Sequence, residues 1–311
     1  MLERNRFQYH LATGKIIFPV AVVFCLISSA LGLNKPENLI PLIACGITTY
    51  LLIELNTTFS LIRTRTTLHA SLFLYFYSSC LFLHEYSPET WIPLLYVGSI
   101  SCLFRSYESS HSSTQIFHSF LLLGIASLIL PHLLYLTPLI YCFMIALRSL
   151  NPRSFFAGLI GVSTPYVLLF CHYLYNDNPA AMAELFMQLA EIPPIDYTAL
   201  SLQQLVAGGL LLVLTAISCV QTMDKGYQDR VQTRIMLRII IWSGIAVLAL
   251  TACIPSYFNA FFLLLLVIYA ITSGHLFALT FSRFTGILLW ITAGAWILLT
   301  IFNLWTALSN S

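Results

Sequence analysis

Charge is what this sequence has least of. Only 8% of its 311 residues are Asp, Glu, Lys or Arg, against roughly 25% in an ordinary soluble domain. A soluble fold could not cover its surface with so few ionised groups. The net charge of +2 is small and the basic residues stand singly rather than in a tail, which argues against a nucleic-acid partner. CxxC pairs, GxSxG elbows and glycine-rich phosphate loops are also missing, so no motif specifies a reaction, a cofactor or a metal. Low-complexity tracts and repeats are absent too, and residues 1–311 read as one domain. The eight cysteines (Cys25, Cys45, Cys80, Cys102, Cys142, Cys171, Cys219 and Cys253) fall within or at the edge of apolar runs. There they read as buried free thiols acting as small hydrophobes.

What is abundant is apolar sequence, 59% of the chain. Runs able to cross a hydrocarbon core of roughly 30 Å recur from residue 16 to residue 307. They are continuous rather than alternating, which selects helices over a barrel. The expected fold is an all-α polytopic transmembrane bundle of about eleven spans: 16–33, 39–55, 67–83, 91–104, 115–130, 132–147, 154–175, 200–222, 236–254, 256–281 and 285–307. The first run is long for a signal peptide and reads as an uncleaved span. The fourth is short, and Gly274-His275 is a candidate break in the tenth. Pro131 divides 115–147 into two spans joined by a hairpin, because proline disfavours a helical residue before it and has no N–H to donate. Ala157, Gly161 and Pro165 mark span seven as a central packing helix.

Basic residues are retained on the cytoplasmic side of membrane proteins. With the N-terminus cytoplasmic, Arg4, Arg6, Lys15, Arg63, Arg65, Arg105, Arg148, Arg153, Lys225, Arg230, Arg234, Arg238 and Arg283 all fall inside, and only Lys35 falls outside. Adding or dropping a helix would spoil that split. The C-terminus is then periplasmic, as is the loop 176–199, with Asp177, Glu184, Glu191 and Asp196 and no base. Within it Met182, Leu185, Phe186 and Leu189 oppose Glu184, Gln188 and Glu191, between Asn178-Pro179 and Pro193-Pro194. This predicts a short amphipathic helix on the outer face, either a lid or a docking or gating element.

No charge is placed at mid-bilayer, so a buried carboxylate or histidine relay for proton-driven transport is not expected. Arg238 can snorkel to the surface. The nearest approach to a metal motif is Glu108, His111 and His118; His132 and His275 are expected to hydrogen-bond freed carbonyls at helix breaks. Polar residues concentrate at the cytoplasmic rim, where Glu54, Asn56 and Glu108 accompany Arg63, Arg65, Arg105, Arg148 and Arg153. Those five guanidiniums could line a pocket for a lipid phosphate, although basic cytoplasmic loops are what topology alone requires.

The segments ELN (Glu54 to Asn56), RT (Arg65-Thr66), FRSYES (Phe104 to Ser109), FHSFLLLGIASLILP (Phe117 to Pro131) and RSLNPRSFFAGLIGVSTPY (Arg148 to Tyr166) resemble an uncharacterised family of multi-spanning membrane proteins from Bacteroidota. The resemblance implies an inner-membrane location in a bacterium with an outer membrane, and no activity.

Three functional readings follow. One is a non-catalytic integral membrane protein of envelope biogenesis, or a handler of lipid-linked material, with membrane lipids and a membrane-protein partner as its contacts and its oligomeric state left open. Another resembles polytopic glycosyltransferases that use polyprenyl-linked sugars, with an outer-loop acid at Glu37, Glu85 or Glu89. The third is a small-solute transporter, with Gln203, Gln204 and Asn259 as polar candidates.

Overall fold

A computed structural model describes residues 14, 16–31, 36–109, 112–177, 180–190, 197–198, 200–225, 229–280 and 282–309. Arg4, Arg6, His10, Lys15, Lys35, His111, Asn178-Pro179, Glu191, Pro193-Pro194 and Asp196 lie outside the described residues, as do the side chains of Glu184, Gln188 and Lys225.

The described residues are mostly helical, without a strand, and form twelve α-helices: α1 (Ile17–Leu31), α2 (Leu39–Phe59), α3 (Leu68–Ser79), α4 (Ile92–Phe104), α5 (Ser113–Ile129), α6 (Thr137–Ala146), α7 (Pro152–Tyr175), α8 (Ala180–Ala190), α9 (Leu202–Lys225), α10 (Val231–Cys253), α11 (Phe258–Leu279) and α12 (Arg283–Ser309). Each apolar run has its helix, and α8 is the predicted amphipathic segment. Six of the described helices are long and apolar enough to cross a membrane: α2, α7, α9, α10, α11 and α12, with α2 and α11 extended by short 3-10 turns at their starts.

The chain turns at its prolines. Leu130 is extended, and a 3-10 stretch over Pro131–Leu136 separates α5 from α6. The run then returns to its starting end, because the Glu108 N–H donates to Leu147 O at 3.0 Å and the Ser112 hydroxyl to Ser149 O. α7 begins on a capping box: Asn151 Oδ1 accepts from the Ser154 N–H, Ser154 Oγ accepts from the Asn151 N–H, and Pro152 occupies the first helical position.

At the centre stands α11, against α3, α4, α9 and α10. Its apolar window is 94% buried, whereas that of α7 is 28% buried. Span seven is therefore peripheral, packed mainly on α5. The small residues predicted to bring helices together do so at that seam: a Cβ on Gly161 would lie 2.6 Å from Phe117 O. Gly274 does not break α11 either. It permits contact with α3, since a Cβ there would lie 2.5 Å from His69 Cβ. Cys142, Cys171 and Cys253 lie on the outside of the bundle rather than within it, as a thiol facing lipid loses no hydration it needs.

Polar contacts tie alternate ends together. At one end Arg63 meets Asp229, Arg105 meets Glu54, and Arg148 meets Glu108. At the other, the Tyr86 N–H donates to Asn38 Oδ1, the Tyr135 hydroxyl to Leu189 O, the Tyr197 hydroxyl to Ala252 O, and Gln204 Nε2 to Asn259 Oδ1.

Candidate functional site

The five arginines of the predicted rim lie at one end of the bundle, and three carry carboxylate partners. Arg105 Nη2 lies 3.7 Å from Glu54 Oε1 and Arg148 Nη1 3.4 Å from Glu108 Oε1, in pairs that are about half-exposed or more. Such pairs contribute little to stability. Arg65 and Arg153 are exposed. Arg148 has φ 55° and follows the last residues of α6, where the Arg148 N–H donates to Ile145 O and the Ser149 N–H to Met144 O. That pattern is a Schellman end, a position glycine usually fills.

Arg63 belongs to a different arrangement, which the sequence did not disclose. Its Nε lies 3.0 Å from Asp229 Oδ1 in an ionic contact rather than an aligned hydrogen bond, while Asp229 Oδ2 meets His275 Nε2 at 2.9 Å. The Asp229 and His275 side chains are 1% and 4% exposed. A buried carboxylate–histidine pair therefore lies at the arginine end of the bundle, and His275 bonds this acid rather than a freed carbonyl. In sequence Asp229 is one of two acids, with Asp224, beside Lys225, Arg230 and Arg234, and nothing local singles it out. His132 also departs from expectation: neither ring nitrogen has a hydrogen-bond partner, and the ring packs 5.3 Å from that of Tyr257.

Among the outer-loop acids, Glu37 and Glu85 are exposed on neighbouring loops. Glu89 is half-buried; burial raises its carboxyl above the usual range, opposed by a hydrogen bond from the Ala260 backbone in the first turn of α11. Its charge thus meets the positive end of a helix. Gln203 bonds Thr306 and Gln204 bonds Asn259, so these amides join helix ends.

An apolar groove lies between α1, α2 and α3. It encloses about 380 Å³, lined by Phe18, Val22, Cys25, Leu26, Leu42, Cys45, Gly46, Thr49, Tyr50, Ile53 and Leu74, within the ~300–1,000 Å³ range of ligand pockets. The helices beside it present Val23, Ile27, Ile43 and Ile47 outward. Gly46 stands at open space on this groove: a Cβ there would meet nothing within 4 Å. Behind the groove, the Ser28 hydroxyl donates to Ser78 O at 2.5 Å, tying α1 to α3. A second apolar cavity of about 340 Å³ lies where Met182 and Phe186 of α8 face Tyr166 and Phe170 of α7.

Beyond α3, His84 is buried, with its ring 5.3 Å from that of Tyr77 and the Tyr77 and Ser28 backbones beside it. Burial pushes its pKa from 6.5 down to about 4. The native state holds it neutral, so the associated stability is complete above pH 6.5 and is lost as pH falls through 4, about 3 kcal/mol in all. The thermal midpoint of the solubilised protein is expected to drop across that interval, and His84→Gln to flatten the drop. An unchanged slope would show that His84 is not the group responsible.

Among the described residues no three His, Cys, Asp or Glu side chains gather in a way that could hold a metal. No family model matches the chain, and no curated protein or solved structure is detectably similar to it.

Proposed function

We propose that this chain is an eleven-span inner-membrane protein, cytoplasmic at its N-terminus and periplasmic at its C-terminus, that holds lipid or lipid-linked material without itself catalysing a reaction. The observation that carries the reading is the apolar groove between α1, α2 and α3, beside which Val23, Ile27, Ile43 and Ile47 are exposed. Apolar side chains exposed beside an apolar groove suit a ligand that is already dissolved in the bilayer. The topology draws support from the contacts tying alternate ends together and from the one-sided distribution of Lys and Arg. The inner-membrane assignment draws on the resemblance to the Bacteroidota family. Arg65 and Arg153, exposed at the basic end, remain candidates for a lipid phosphate, while Arg63, Arg105 and Arg148 would have to exchange a carboxylate for it.

Gly46→Leu tests the reading, because leucine enters open space and fills the groove. Replacing a helical glycine is itself favourable by up to about 1 kcal/mol, so the variant is expected to fold at least as well as the parent. Native mass spectrometry after purification in mild detergent should show a lipid adduct on the parent protein and lose it in Gly46→Leu. Equal adducts on both proteins would sink the groove as the binding place.

A further inference from the structure

The groove between α1, α2 and α3 has a length as well as a volume. Its lining runs from Phe18 to Leu26 on α1 and from Leu42 to Ile53 on α2, about 12 and 16 Å along the two helix axes at 1.5 Å per residue. Half of a hydrocarbon core of roughly 30 Å is about 15 Å, so the groove is one leaflet deep. It lies along the helices, the direction an acyl chain takes in a bilayer.

One end of the groove is basic. α1 and α3 pack side by side, with the Ser28 hydroxyl donating to Ser78 O and the Tyr75 hydroxyl to Ile17 O. Eleven residues before Ser28 and Ser78 stand Ile17 and Thr67, so the Phe18 end of the groove comes down to the turn of residues 60–67 between α2 and α3. Ile17 accordingly packs against the cluster that includes Ile62 and Leu68. That turn carries Arg63 and Arg65. Asp229 occupies Arg63, whereas Arg65 is exposed and, among the described residues, has no carboxylate within ion-pair distance.

We propose that the groove seats one acyl chain of an anionic glycerophospholipid drawn from the leaflet at the arginine end, with the lipid phosphate on Arg65. The proposal rests on the reading of the groove as a lipid site, and it names the lipid. Charge selects the headgroup: the Arg65 guanidinium attracts a phosphodiester and repels the ammonium of a zwitterionic lipid. Depth selects the tail, because a chain of one leaflet ends where the groove ends and a polyprenyl tail of many isoprene units overruns it. Arg153, also exposed, belongs to α7, which packs mainly on α5 rather than on a wall of the groove.

The test titrates the full-length protein, delipidated in mild detergent, with phosphatidylglycerol or phosphatidylethanolamine of identical chains, and counts adducts by native mass spectrometry. The parent should bind phosphatidylglycerol about fivefold more tightly, the preference expected from one arginine near the membrane surface. Arg65→Gln, a change at an exposed side chain, should erase that preference, and Arg153→Gln should leave it intact. Gly46→Leu should weaken both lipids by roughly tenfold or more, as a filled pocket does. Equal binding of the two lipids by the parent, or a preference lost in Arg153→Gln and kept in Arg65→Gln, would overturn the proposal; if Gly46→Leu still loses both lipids, the lipid-holding reading survives that result. Unchanged binding in Gly46→Leu would remove both. Displacement of phosphatidylglycerol by inorganic phosphate alone, or by a polyprenyl phosphate at lower concentration than phosphatidylglycerol itself requires, would assign the site to those ligands and overturn the phospholipid.

Discussion

His275→Ala is expected to lower the unfolding free energy of the solubilised protein by about 3 kcal/mol or more, the range for stranding a buried charge. Asp229→Asn should cost only about 1 kcal/mol. The asymmetry follows from what each change leaves behind. Without His275, the Asp229 carboxylate is enclosed at 1% exposure with neither oxygen hydrogen-bonded and only the ionic contact to Arg63. With asparagine at 229, the amide oxygen still accepts from His275 and no buried charge remains, while Arg63, 46% exposed, is solvated by water. The double variant Asp229→Asn/His275→Ala should be more stable than His275→Ala alone, giving a coupling that adjacent partners show and distant ones do not. Thermal unfolding of the four proteins measures it. Simple additivity would mean that the pair does not act as a unit.

Gly274→Leu is expected to abolish the folded state, and Gly274→Ala to cost about 2–3 kcal/mol, the upper range for overpacking. The obstacle is not a flexible side-chain tip. A Cβ at 274 would lie 2.5 Å from His69 Cβ, 2.9 Å from its Cα and 3.2 Å from its backbone nitrogen. His69 cannot withdraw readily, as its Nε2 is held 3.1 Å from Leu52 O of α2. Gly46→Ala is the control, since its methyl group meets open space. If both alanine variants melt at the parent temperature, α11 and α3 are not in close contact at that crossing.

The helices were legible because each apolar run must satisfy its own backbone, and Pro131 marked a division that local chemistry enforces. Which helix occupies the centre was not legible. Lipid and protein interior are equally apolar, so composition cannot distinguish α11, enclosed on all sides, from α7, which faces outward. Gly161 announced a close crossing correctly but not its position in the bundle. Gly274 was read as a weakness in its helix when it is a contact between two helices.

The candidate sites were legible in proportion to how local they are. Clustering of Arg148 and Arg153 around one turn is a property of neighbouring residues and survives in the structure. Asp229 and His275 are separated by 46 residues and meet only through the fold. The arginine rim also looked more uniform in sequence than it is. Glu54, Glu108 and Asp229 divide it into separate ion pairs, leaving Arg65 and Arg153 exposed.

The position of α11 along the chain bears on biogenesis. A ribosome has delivered ten of these helices before it reaches Phe258, yet α3, α4, α9 and α10 all pack against the segment still to come. Early helices can enter the bilayer one by one, but their inward faces have no permanent neighbour until residue 279 has emerged. Chains arrested before that point would expose unmatched seams to quality-control proteases, so this bundle closes only once its central helix has arrived.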